Sequence, residues 1–169
     1  VSVVAFVFAV AAAAAFYGAT PLLYAVGALC VVVNGWLDLL DGALARELGT
    51  DSVAGDLLDH VLDRYADVVV VVGLAAGIAR YDLGLAAVTG VLLTSYLGTQ
   101  AQAVGLDRVY GGLLGRADRL ALVGVTGGLS AFVPAVAGFS PAAWLLTLFA
   151  VVGHLTAVQR FVSAWRQLT

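Results

Sequence analysis

The sequence predicts an all-α, polytopic membrane protein with six transmembrane helices, on three observations. Hydrophobic residues make up 62% of the 169-residue chain and charged residues 11%, with a mean hydropathy of +1.03. A soluble domain carries roughly 25% charged residues, so too few remain here to cover a surface facing water. Breaks at Gly18–Pro21, Leu48–Ser52, Arg80–Asp82, Gly105–Arg119 and Gly138–Pro141 leave six apolar segments, of about the length a spanning helix needs.

The first segment, 1–17, has the look of a signal peptide. It lacks a basic start and five apolar segments follow, so it reads as a span. The second, 21–48, and the third, 52–80, carry most of the acids. The fourth covers 83–104, the fifth 119–137 and the sixth 141–166. Residues 1–169 have the size of a single domain. The chain has no Met and is expected to begin inside a longer gene product. Cys30 stands alone in an apolar run, which excludes an internal disulfide and marks it as a small packing residue.

Arginine sets the orientation. With the first helix starting in the cytoplasm, Arg46, Arg64, Arg108, Arg116, Arg119, Arg160 and Arg166 lie toward the inside and only Arg80 outside, the bias of cytoplasmic loops. The expected location is the cell membrane, with the acids facing the cytoplasm. Lys is absent and the net charge is −3, so no basic face points to a nucleic-acid partner. The pairs Gly73/Gly77 and Gly124/Gly128 permit close helix contact, within the bundle or across a dimer seam; a homodimer is the expected assembly.

The chemistry concentrates in the second and third segments. Asp38 and Asp41 are spaced i,i+3, and Asp59 and Asp63 i,i+4, so each pair shares a helix face. The connection from Arg46 to Gly55 is short, and the two helices are expected to be antiparallel neighbours whose four carboxylates converge. The 17 residues from Pro21 to Asp38 rise roughly 25 Å, which places Asp38 near the inner edge of the hydrocarbon. The apolar run Val68–Ala79 is too short to cross, so Asp63 and Asp67 fall within bilayer depth. A carboxylate there needs compensation, and four together repel one another. Divalent cations resolve both difficulties: all-oxygen ligation suits Mg²⁺ or Mn²⁺, two ions could bridge a phosphate, and the absence of Cys or paired His argues against zinc.

From Asp38 to Asp63 the spacing is Asp-x2-Asp-Gly-x2-Ala-Arg-x8-Gly-x3-Asp-x3-Asp. This resembles the signature of the CDP-alcohol phosphotransferases, integral membrane enzymes of phospholipid synthesis, with all eight fixed positions met. The six-helix plan extends the resemblance over essentially the whole chain. It implies that Asp38, Asp41, Asp59 and Asp63 hold the metals, with Asp63 also the general base. It implies that Gly42, Ala45 and Arg46 form the CDP surface and that Gly55 lets the third helix pass close to the nucleotide. The implied reaction is attack by an alcohol hydroxyl on the lipid-bearing phosphate of a CDP-linked lipid, releasing CMP. The acceptor is a small polar alcohol of the glycerol phosphate or inositol phosphate type. Members carry an amphipathic helix before the first span, which has no counterpart in the numbered sequence. The Ala-, Val-, Asp- and Arg-rich composition is similar to that of archaeal ether-lipid members.

Other polar residues leave alternatives open. Asp56 either touches a metal or the nucleotide or faces solvent, and Asp67 is expected to pair with Arg64. His60 reads as a bystander, His154 as a hydrogen-bonded packing residue, and Asn34 as a cytidine contact or a cap on a polar pocket. Arg108, Arg116 and Arg119, in the one substantial polar loop, either clamp an acceptor phosphate or hold topology and lipid head groups. Inositol-phosphate-using members carry basic residues at the end of the fourth helix, where this chain has Gln100 and Gln102. The competing function is an ion- or proton-coupled transporter using intramembrane carboxylates. Such a protein would place its acids at the midplane, in two related halves. A catalytically dead scaffold in the same fold is a third reading, against which the complete motif argues.

Overall fold

The computed structural model describes residues 1–48, 52–107 and 111–169, and within these the side chains of all but 42–48. The described chain is α1 (Ser2–Gly18), α2 (Pro21–Leu48), α3 (Val53–Gly77), α4 (Tyr81–Ala103), α5 (Arg116–Ser130) and α6 (Pro141–Leu168). Local chemistry sets the ends. Ala19 turns left-handed (φ 49°) and its N–H donates to the Phe16 carbonyl at 3.1 Å, a closing turn after which Pro21 opens α2. Ser52 caps α3 by accepting from the Gly55 N–H at 3.0 Å, and Ser140 caps α6 by accepting from the Ala143 N–H at 3.2 Å.

The fifth helix departs from expectation at both ends. It starts at Arg116, because the Asp118 carboxylate accepts from the Gly115 N–H at 2.8 Å and stabilises a helix start there. It stops at Ser130 because Pro134 biases Val133 away from helical backbone. The chain then reverses through Ala137 (φ 49°) and Gly138 (φ 84°), with Val136 and Phe139 hydrogen-bonded to each other. At 15 residues α5 is about 22 Å long, short of a hydrocarbon core of about 30 Å. Among the described residues three helices, α2 over Pro21–Asp41, α4 and α6, are long and apolar enough to cross a membrane.

The packing order also corrects an expectation. Among the described residues α2 and α3 are not packed along their length, because α1 lies against both. Ala5, Ala9, Ala12 and Phe16 form its buried stripe, and Gly73 and Gly77 of α3 admit it. A Cβ at Gly73 would stand 2.5 Å from the Ala13 carbonyl oxygen, and one at Gly77 would strike the Phe16 carbonyl. That glycine pair therefore serves the bundle. Gly124 has only ordinary contacts with Val31 and Val32, and Gly128 faces open space. On the other side α4 and α6 form the most extensive pairing, where Gly90 meets Gly153 and the Thr94 hydroxyl donates to the Gly153 carbonyl at 2.8 Å.

The exterior is more apolar than that of a water-soluble bundle, and several polar groups are buried. Leu22, Leu29, Leu39, Leu85 and Val125 are exposed, whereas Asn34, Asp67, Thr94, Arg119 and Thr156 are buried. An apolar exterior around polar interior groups suits lipid as the solvent.

Candidate active site

Three carboxylates converge at the end of the bundle where α2 finishes and α3 begins. Asp38, Asp59 and Asp63 each offer an oxygen, and these oxygens lie within 4.8 Å of one another. The helical spacing of Asp59 and Asp63 puts both on the face of α3 turned to Asp38. Arg116, on the first turn of α5, joins them: one terminal nitrogen contacts Asp38 and the other lies 2.5 Å from Asp63. The side chains of Asp38, Asp63 and Arg116 are 13%, 12% and 25% exposed, so water screens the cluster only partly.

Asp41 stands apart from this group and accepts a hydrogen bond from the Ser2 hydroxyl at the start of α1. Gly55 and Asp56 lie in the exposed first turn of α3, where helix N–H groups point outward. Asp56 also accepts, through its carbonyl, a 2.9 Å bond from Nδ1 of His60. Gly42, Ala45 and Arg46 belong to the last turns of α2, but their surroundings lie outside the described residues, as does Arg108.

Arg119, expected in a polar loop, is instead 3% exposed within the bundle. It donates to Asp67 at 2.7 Å and to the Ser95 hydroxyl at 3.4 Å. Asp67 does lie near Arg64, but at 3.8 Å, so Arg119 is its closer partner. Asn34 donates to the Ala5 carbonyl at 2.8 Å, tying α2 to α1. His154 is a packing residue, its Nε2 lying 3.2 Å from the Ala86 carbonyl and 3.3 Å from the Thr89 hydroxyl. Arg160 gives hydrogen bonds to the Gly111 and Thr94 carbonyls at 2.8 and 2.7 Å and so anchors the stretch leading to α5. Ser2, Ser95 and the Asp67–Arg119 pair were not legible in the sequence. Each contact joins segments far apart in the chain, and no spacing rule covers it.

Comparison with known proteins identifies the family. Residues 1–158 match the family model described as CDP-alcohol phosphatidyltransferase. The archaetidylinositol phosphate synthase of Methanothermobacter thermautotrophicus is 29% identical over 162 residues, covering 93% of this chain and 77% of that one. The phosphatidylinositol phosphate synthase of Mycobacterium tuberculosis is 39% identical over 137 residues, covering 76% of this chain but 61% of the synthase. Crystal structures of the M. tuberculosis synthase superpose with a TM-score of 0.80 in the form with CDP-DAG bound and 0.81 in complex with manganese and citrate. They are 31% and 32% identical to this chain, covering 97% and 98% of it and 84% and 80% of the synthase chain. With sequence and fold in agreement, the chain belongs to the CDP-alcohol phosphatidyltransferase family, membrane transferases of phospholipid synthesis.

Proposed function

We propose that the chain transfers a lipid-phosphate group, phosphatidyl or archaetidyl, from a CDP-linked lipid to the hydroxyl of a small polar alcohol of the glycerol phosphate or inositol phosphate type, releasing CMP. The observation that carries this reading is the convergence of Asp38, Asp59 and Asp63 within 4.8 Å, in a family whose relatives act on such substrates. The donor set fits Mg²⁺ or Mn²⁺. The three are carboxylate oxygens within 4.8 Å of one another, the hard donors such ions take. Asp38, Asp59 and Asp63 would hold the metal, and Asp41, one turn from Asp38, would complete a site for two ions. The metal supplies positive charge at the transferring diphosphate.

The remaining chemistry falls to the chain's own groups. The acceptor oxygen attacks the lipid-bearing phosphorus, the bond from that phosphorus to the CMP oxygen breaks, and CMP leaves with the electron pair. Asp63 takes the proton from the acceptor hydroxyl. The exposed first turn of α3, with Gly55 and Asp56, and the end of α2, with Gly42, Ala45 and Arg46, form the CDP surface, where N–H groups at the helix start favour a diphosphate. Arg116, whose terminal nitrogens contact Asp38 and Asp63, would exchange these contacts for the phosphate of the acceptor when Asp38 and Asp63 hold the metal; buried Arg119 would not.

The whole chain is read as one transmembrane domain of six membrane helices, of which α1 and α5 are the shortest. The acidic end faces the cytoplasm, and the assembly is a homodimer. A coupled transporter is disfavoured by the placement of the acids at one end of α2 and α3. The test is CMP release by purified protein in nanodiscs, with CDP-diacylglycerol or CDP-archaeol as donor and glycerol 3-phosphate or inositol 1-phosphate as acceptor. Absence of CMP release with every pair, in protein that is folded, sinks this reading.

A further inference from the structure

One turn deeper than the carboxylate cluster lies a second charged contact that the transfer reaction does not use. Asp67 follows Asp63 by four residues on α3, and Arg119 follows Arg116 by three on α5. The Asp67 and Arg119 side chains are 6% and 4% exposed and 2.7 Å apart. The two helices are thus joined by two rungs, Asp63–Arg116 above and Asp67–Arg119 below.

Direct packing between α3 and α5 adds little to their register. Among the described residues α5 packs on α2 and α6, and α3 packs on α1 and α4, but α3 and α5 are not a close-packed pair. Between them lies a cavity of about 20 Å³ whose lining includes Ala66, Asp67 and Val70 from α3 and Arg119, Leu120 and Val123 from α5. Direct ridge-into-groove contact, which normally fixes how one helix sits along another, is therefore sparse at this seam. A one-residue slip of α5 would move its first turn by about 1.5 Å and rotate it by about 100°, carrying Arg116 off both Asp38 and Asp63. Nor does stability account for the lower rung, since buried ion pairs can often be replaced by apolar side chains without loss.

We infer that Asp67 and Arg119 are positioning residues: their buried pair fixes the register of α5 on α3 and so holds Arg116 between Asp38 and Asp63. The inference rests on the reading of Arg116 as the group that receives the acceptor phosphate. Its test is the Asp67→Leu/Arg119→Leu double variant in nanodiscs, with and without Arg116→Gln. Thermal unfolding is followed alongside CMP release with CDP-diacylglycerol and each of glycerol 3-phosphate and inositol 1-phosphate. The double variant is expected to fold with an unchanged or higher midpoint, while its KM for the acceptor rises about ten-fold, as for loss of one charged hydrogen bond. Adding Arg116→Gln should raise KM no further, because both changes remove the same contact. A wild-type KM in the folded double variant, or a full additional effect of Arg116→Gln, overturns the inference while leaving the functional reading intact. Should the apolar pair not fold, Asp67→Asn/Arg119→Gln removes both charges while keeping polar side chains at the two positions, and the same cycle is run on it. Failure of both to fold makes the pair purely structural and overturns the inference. Wild-type protein that releases no CMP overturns the functional reading together with this one.

Discussion

The guanidinium of Arg116 stands 2.5 Å from the Asp63 carboxylate, joining the first turn of α5 to the middle of α3 across a seam with little packing of its own. The same side chain also contacts Asp38 on α2. One residue thereby gathers the two halves of the acidic motif, which α1 otherwise separates. Arg116→Gln should therefore raise KM for a phosphate-bearing acceptor by about ten- to a hundred-fold, the range for losing a charged hydrogen bond. An unchanged KM in steady-state CMP release would remove Arg116 from the acceptor site.

Metal removal gives a separate prediction. Without cations, Asp38, Asp59 and Asp63 would repel a diphosphate as they repel one another. CMP release should stop on exhaustive chelation and return with Mg²⁺ or Mn²⁺. Full activity in metal-free protein would reject the assigned mechanism.

Gly73 of α3 and Gly128 of α5 predict a stability pattern. A Cβ at Gly73 runs into the backbone of α1, whereas Gly128 faces open space. Gly73→Ala should lower stability by about 1–3 kcal/mol, the usual effect of overpacking, while Gly128→Ala should be neutral or gain up to about 1 kcal/mol from helix propensity. Unfolding midpoints in detergent check both. Equal tolerance at the two positions would contradict the α1–α3 contact.

The helix count, the shared face of Asp59 and Asp63 and the starts of α2, α3 and α6 were legible because each follows from local spacing; of the four carboxylates expected to converge, three do and Asp41 lies with Ser2 instead. The fifth helix was placed three residues late, since the polar run Arg116–Arg119 reads as loop until Asp118 is seen to support a helix start. Arg119 was misread for the same reason: its partners Asp67 and Ser95 come from two other helices. The neighbour order failed at α2 and α3. A short connection suggested side-by-side packing, but the small-residue stripe of α1 inserts where Gly73 and Gly77 leave room.

Topology can be read with single cysteines in a Cys30→Ala background. Arg80 follows the far end of α3, whereas exposed Leu113 precedes the site helix α5. Cysteines at these two positions should react with a membrane-impermeant maleimide from opposite faces of sealed vesicles, with Leu113→Cys on the cytoplasmic side. Labelling of both from one face would refute an odd number of spans between the α3 end and the α5 start.

The last prediction separates base from ligand. Asp63 is the deeper member of the α3 pair and contacts Arg116, where the acceptor phosphate is proposed to bind, so its carboxylate is placed to meet an acceptor hydroxyl. Asp63→Asn keeps the shape and most hydrogen-bonding capacity but cannot take the proton, and loss of a general base lowers rates by about 10²–10⁴-fold. Asp38→Asn removes a ligand charge, which should weaken binding of metal and CDP-lipid and be partly rescued by high Mg²⁺. Both variants lose one of Arg116's two carboxylate partners, so that shared effect cancels when the two are compared. Asp63→Asn should bind CDP-diacylglycerol with nearly native affinity by calorimetry yet turn over slowly at every Mg²⁺ concentration. Wild-type turnover in Asp63→Asn, or recovery of its rate with added Mg²⁺, would make Asp63 a ligand only and place the base on another group.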